Sequence, residues 1–263
     1  MSVGKSRPVA LITGASGGIG AEMAREIAKD GYDLILVSRD QVQLEKVGSD
    51  LQNQLGIGWL AIAMDLSAPS KVEVLIKTLE EKAITPELIV NNAGYGVVGR
   101  VEKIDVEQQL GSVSLNVSVL TELSLKFLPQ LLSKNRGGII NIGSVAGFFP
   151  GPYFSVYYAT KAYVQSFTCA IAHELKSSNV KICVICPGPT RTGFQKRAGM
   201  TRSGVTRSGA AMTAEEVAKI GYAGYKKGRT VVVTGTLNRI LVFLSQLVPA
   251  SLFVRAIASF NRS

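Results

Sequence analysis

The sequence predicts an α/β fold, a single doubly wound parallel sheet with helices on both faces. Three observations predict it. Short β-branched runs alternate along the chain with longer stretches of helical periodicity. The runs are continuously apolar, as expected of parallel strands covered on both faces. The first run feeds directly into a glycine-rich turn that opens a helix, Thr13-Gly14-Ala15-Ser16-Gly17-Gly18-Ile19-Gly20.

In chain order the candidate strands are Val9 to Thr13, Leu34 to Val37, Leu60 to Met64, Leu88 to Val90, Ile139 to Ile142, Ile182 to Ile185 and Val231 to Thr234. Between them a helix is expected from Gly20 to Asp30, stopped by Gly31, and a longer one from Val156 to Ser177. Trp59 borders the third strand and reads as a core residue. Segment 193–212, rich in Gly, Ser, Thr and Arg, reads as a long loop over the substrate. No internal repeat or linker divides the chain, so the 263 residues are read as one domain, 1–263.

Hydrophobic residues at 46% and charged residues at 18% exclude a disordered or collagenous chain. The apolar run Val9 to Ile12 is shorter than a signal-peptide core, so a cytoplasmic setting is expected. Three cysteines suit a reducing compartment. Cys183 and Cys186 are three apart on a strand and face opposite sides, which argues against a disulfide or a shared metal. No cluster of His, Cys or carboxylates suggests a metal site, and His173 lies too far along its helix from Lys161 for shared chemistry. Charge is uneven: residues 176–263 carry fourteen Lys and Arg against Glu215 and Glu216 alone. That asymmetry fits an anionic partner or a solvated basic face. Few aromatics interleave with the basic residues, so no nucleic-acid role is expected.

Glycines at Gly14, Gly18 and Gly20 let backbone approach a pyrophosphate, whose charge the helix N-terminus favours. Further along, Tyr157 and Lys161 are four apart on a helix and share a face, so the ammonium is expected to approach the phenol and lower its pKa. Tyr157 then serves as general acid for ketone reduction, or as base for alcohol oxidation. Ser144, at the end of the fifth strand, is placed to hydrogen-bond the substrate oxygen. Tyr158 competes for the role, but its partner four residues on is Ala162.

The spacing Gly-x-x-x-Gly-x-Gly, the segment Asn91-Asn92-Ala93-Gly94, Asn116, Ser144 and Tyr157-x-x-x-Lys161 appear in one order along the chain, and Ser144 precedes Tyr157 by 13 residues. Together they resemble the classical short-chain dehydrogenases over nearly the whole chain. That resemblance implies a Rossmann-type domain, a nicotinamide cofactor and a catalytic set of Asn116, Ser144, Tyr157 and Lys161. It implies that Lys161 also holds the nicotinamide ribose and that Asn116 keeps a water in a proton relay. It places Gly14, Ser16, Gly17, Gly18, Ile19, Gly20, Asn92, Ala93 and Gly94 around the cofactor, with Pro187, Gly188, Thr190 and Thr192 over the nicotinamide. Asp65, with Leu66 after it, matches the family's adenine contact, and reads equally as a turn cap.

Cofactor choice is read after the second strand, in Val37-Ser38-Arg39-Asp40. Ser38 stands where an acid would bind both ribose hydroxyls, and Arg39 suits a 2′-phosphate. NADP(H) is therefore preferred. Gly17, where many NADP-binding relatives carry Lys or Arg, keeps NAD(H) as the alternative. The reading is an oxidoreductase acting on a hydrophobic carbonyl or the matching secondary alcohol. Its rivals are a 3-oxoacyl-carrier-protein reductase, whose acidic carrier the basic third would dock, and a non-catalytic NADP-binding sensor. The resemblance implies a homodimer or homotetramer.

Segment 237–263 forms an apolar tail. Ile240, Leu241, Phe243, Leu244, Leu247 and Val248 repeat at helical spacing, and Pro249 can start a second helix carrying Leu252, Phe253, Ala256, Ile257 and Phe260. The uncharged stretch Ile240 to Val254 is too short, and broken by Pro249, to span a membrane. The tail is expected to cover the substrate cleft or a subunit interface, with lying on a membrane surface as the alternative.

Overall fold

Each predicted apolar run becomes a strand, and most gain a residue at one or both ends. The computed structural model describes residues 3–4, 6–199, 211–247 and 249–262, without the side chains of 250–252, 256, 260 and 262. Its strands are β1 (Val9–Thr13), β2 (Asp33–Ser38), β3 (Trp59–Ala63), β4 (Leu88–Asn91), β5 (Gly138–Ile142), β6 (Lys181–Cys186), the short β7 (Thr190–Arg191) and β8 (Met212–Thr213), and β9 (Val231–Val233). Seven of them form one parallel sheet in the order β3-β2-β1-β4-β5-β6-β9, and β7 pairs with β8 as a separate parallel ribbon.

Helices α1 (Gly18–Lys29), α2 (Gln41–Leu55), α3 (Lys71–Glu81), α4 (Val106–Val113), α5 (Leu120–Lys134), α6 (Ser155–Glu174), the single turn α7 (Phe194–Arg197), α8 (Ala214–Lys226), α9 (Thr236–Leu247) and α10 (Ala250–Arg262) follow. Strand residues of both parities are buried, as in Ala10, Leu11 and Ile12, because helices pack on each face. One core lies under α1, α2 and α8, around Ile12, Leu34, Leu36 and Ile185. The other lies under α3, α5 and α6, around Leu11, Ile35, Ile89 and Ile139. Cys183 and Cys186 are buried in different clusters, as their strand spacing requires.

Strands β3 and β9 stop one residue short of the expected runs, before Met64 and Thr234, and other boundaries differ too. Helix α1 begins at Gly18, so Gly20 lies within its first turn. Helix α6 stops at Glu174, before Ser177; in the turn that follows it the Ser178 hydroxyl donates to the Leu175 carbonyl at 2.8 Å. Segment 193–212 is not all loop: it holds α7 and the first residue of β8, while 200–210 lie outside the described residues.

Strand order reverses at β1 and β4, so the loops leaving their carboxyl ends diverge to opposite faces and open a crevice. The tail folds back over this end. The Pro249 carbonyl accepts from Phe253 N at 3.3 Å, starting α10 where expected. Val248, Leu252, Ala256 and Phe260, assigned to the tail's apolar face, have side chains outside the described set.

Candidate active site

The crevice is braced from β4. Asn92 Nδ2 donates to the carbonyls of Thr13 at 2.8 Å and Gly14 at 3.1 Å, while Thr13 Oγ1 accepts from the amides of Asn92 and Ala93, each at 3.0 Å. These bonds lock the glycine-rich turn to the Asn91–Gly94 segment. A Cβ on Gly20 would meet the Gly14 carbonyl and, at 2.5 Å, Asn92 Nδ2, so glycine there is a packing requirement. Gly14 and Gly18 sit at φ +66° and +57°, in the left-handed region. Beside Gly17 a Cβ would meet nothing within 4 Å, and no acid occupies the first turn of α1. The helix N-terminus therefore faces open space, and its free N–H groups suit an anion.

A π-helical turn, Ser114–Val119, interrupts the passage from α4 to α5 and carries Asn116 into the interior. Asn116 Oδ1 accepts from Tyr95 N at 3.0 Å, and its Nδ2 donates to the Tyr95 carbonyl at 2.8 Å and to Thr160 Oγ1 at 3.0 Å. Asn116 thus ties the loop after Gly94 to the helix that bears the tyrosine and lysine.

Ser144 follows β5 with extended backbone; its Oγ accepts from Ala146 N at 3.1 Å and donates to the Pro187 carbonyl at 3.4 Å. Burial raises the Tyr157 pKa above the usual phenol value, and the neighbouring Ser144 hydroxyl opposes this only in part. The expected lowering by Lys161 is not what the geometry gives. Lys161 Nζ donates to the Ile142 carbonyl at 2.7 Å and stands 5.7 Å from the Tyr157 ring centroid. Its own pKa falls to about 8, chiefly because burial disfavours the ammonium.

These groups line a single cavity of about 280 Å³. Its walls include Gly14, Gly17, Gly18 and Ile19, then Asn92, Ala93 and Gly94, and Pro187, Gly188, Thr190 and Thr192 beside Ser144, Tyr157 and Lys161. Asn116 supports this wall from behind. Ser16, Ser38, Arg39, Asp65 and Leu66 stand outside it. Arg39 pairs loosely with Asp65, at 3.9 Å. Asp65 accepts from the Ser67 amide and hydroxyl at 3.0 and 2.6 Å, the turn-capping geometry, and the side chain of Leu66 is buried in the core.

The aromatic walls beside Tyr157 escaped sequence reasoning. Phe154 stacks on Tyr157 with centroids 4.5 Å apart, and Phe194 approaches its ring at 5.3 Å. Gly96 makes room, since a Cβ there would strike both Phe154 and Tyr157. Leu241 of α9 and Ile257 of α10 close the cavity from the tail. Asn261 Nδ2 donates to the Pro152 carbonyl at 2.9 Å, so α10 is latched across 109 residues of sequence. Tyr158, the competing tyrosine, is buried beside this latch. Among the described residues no group of His, Cys, Asp and Glu is arranged to hold a metal ion.

The family model for short chain dehydrogenases matches residues 8–203. The chain belongs to the short-chain dehydrogenase family. This short-chain dehydrogenase superposes on one from Sphingobium yanoikuyae, solved in complex with NADPH, at TM-score 0.81 and 32% identity, covering 91% of this chain and 93% of that one. A short-chain dehydrogenase/reductase from Burkholderia phymatum in complex with NAD aligns at TM-score 0.80 and 25% identity over 90% and 92% of the two chains. In sequence, the NADP-dependent 3-hydroxy acid dehydrogenase of Schizosaccharomyces pombe is 28% identical over 238 residues, 86% of this chain and 90% of that protein. Family membership makes this short-chain dehydrogenase an oxidoreductase of the Rossmann type.

Proposed function

We propose that the protein is an NADP(H)-dependent reductase of hydrophobic carbonyl compounds, also able to oxidise the matching secondary alcohols. One observation carries the reading: Ser144, Tyr157 and Lys161 meet on the wall of an apolar-sided cavity that runs on to the glycine turn at the N-terminus of α1. The residues present fit a dinucleotide, because the turn leaves backbone N–H groups open and Gly94, whose Cβ would lie 3.8 Å from Lys161 Nζ, keeps the lysine approachable. When bound, the nicotinamide supplies or accepts the hydride.

The side chains supply the rest. Ser144 and Tyr157, neighbours on the cavity wall, present two hydroxyls to a substrate oxygen, where charge builds as the carbonyl is reduced. The raised Tyr157 pKa keeps the phenol protonated, ready to donate. Lys161 holds a positive charge below about pH 8 beside that proton donor and beside Gly94. Asn116 positions the lysine helix through Thr160. Phe149, Phe154, Phe194, Leu241 and Ile257 favour a bulky apolar substrate over a small polar one. Arg39, exposed after β2 with only a distant carboxylate for company, suits a 2′-phosphate.

A panel of ketones and aldehydes graded in hydrophobicity, followed by nicotinamide absorbance with NADPH and with NADH, tests this. Turnover is expected to rise with apolar bulk and to favour NADPH. Consumption of neither cofactor with any carbonyl would overturn the reading, and preference for NADH would overturn the role of Arg39.

A further inference from the structure

Helix α9 has two apolar faces, and the cavity uses only one. Val242 is buried and Leu241 lines the cavity. Turned away from them, Leu237, Ile240, Phe243, Leu244 and Leu247 are 70%, 50%, 61%, 45% and 64% exposed. At 100° per residue these five fall within an arc of about 120°, a continuous stripe with Arg239 at one border and Leu241 at the other. Such stripes mark contact surfaces rather than solvated ones.

Charge decides which contact. No acid follows Glu216 in the sequence, whereas Lys219, Lys226, Lys227, Arg229, Arg239 and Arg255 do. Arg239 is exposed at the border of the stripe, and Arg255 of α10 is exposed as well. A second copy on this face would set cation against cation, since a two-fold contact brings like patches together. An anionic lipid surface would instead neutralise them while taking up the apolar arc. Among the described residues no helix is long and apolar enough to cross a membrane, so contact along the surface is the geometry available to α9.

We propose that the outer face of α9 docks this protein on anionic membrane surfaces, with its axis in the interface plane. Leu237, Ile240, Phe243, Leu244 and Leu247 enter the headgroup boundary and the arginines meet lipid phosphates. Because Leu241 on the same helix lines the cavity, docking sets the cavity wall beside the bilayer, where apolar solutes concentrate. The docking itself is independent of the chemistry proposed for the cavity.

Co-sedimentation of the full chain with phosphatidylcholine vesicles, with and without phosphatidylglycerol, tests it without any turnover measurement. Binding is expected to vesicles containing phosphatidylglycerol, to weaken with added salt, and to drop about tenfold or more in the double variant Ile240→Glu, Leu244→Glu. Both positions lie outside the cavity, so the variant should keep the wild-type unfolding midpoint, which shows that lost binding is not lost folding. Absence of binding to the anionic vesicles, or binding that the double variant retains, overturns the proposal. A dimer that the double variant dissociates, with no vesicle binding, assigns the stripe to a second copy instead.

Discussion

At the scale of single residues, burial outweighs the expected ion-to-phenol attraction. Lys161 is held at about 8 in the folded protein, against 10.5 for an ordinary lysine, with desolvation as the first cause. Between those values the unfolded chain binds more protons than the folded one, so this group makes stability rise with pH through that window. Urea midpoints of wild type should therefore climb relative to Lys161→Met as pH passes from below 8 toward 10.5; a flat difference would show that the lysine is not desolvated. Arg39 presents the opposite case, an exposed cation whose distant pairing with Asp65 contributes little. A charge-assisted bond to a 2′-phosphate contributes about 1.5 to 3 kcal/mol, so Arg39→Ala should weaken NADPH by tens of fold and leave NADH nearly unchanged. Calorimetric titration with both cofactors checks it, and equal losses would refute the assignment.

At the scale of elements, the strands were legible because each is a short apolar run, buried on both faces in β1, β2, β4 and β5, and the glycine turn was legible because its spacing is local. The π-helical turn at Asn116 was not, since the weak helix formers of Ser114 to Val119 do not by themselves specify a π-turn. Nor were the aromatic walls: Phe194 reaches Tyr157 from the turn after β7, and Phe253 and Asn261 meet the loop that follows β5 only once the tail closes, partners no sequence period connects. Ser144, Tyr157 and Lys161 were found because two of them share one helix and the third follows a strand at a recognisable spacing. Two predictions belong here. Gly20→Ala forces its Cβ against the Gly14 carbonyl and Asn92, and overpacking of this kind costs about 1 to 3 kcal/mol; a denaturant midpoint equal to wild type would contradict the close approach. Truncation after Gly235 removes α9 and α10, uncovers Phe149 and Tyr158, and should impair turnover of bulky apolar ketones more than small ones. Equal impairment would mean that the tail does not shape the cavity.

At the scale of the whole molecule, the parallel sheet brings the ends of β1, β4, β5 and β6 to one edge, and the site is what their loops and α6 hold there. The tail then adds a wall on one side of α9 and leaves an apolar face on the other. The central claim is that this assembly reduces a carbonyl with Tyr157 as proton donor. Its most direct test is the turnover number and NADPH affinity of Tyr157→Phe beside wild type, with the best ketone of the graded panel. The substitution keeps the ring that stacks on Phe154 and removes only the hydroxyl that neighbours Ser144. Turnover should fall by about 10² to 10⁴-fold with NADPH affinity almost unchanged, because the hydroxyl serves proton transfer alone. A variant that keeps more than about a tenth of wild-type turnover, well above what loss of general acid catalysis allows, would contradict the account.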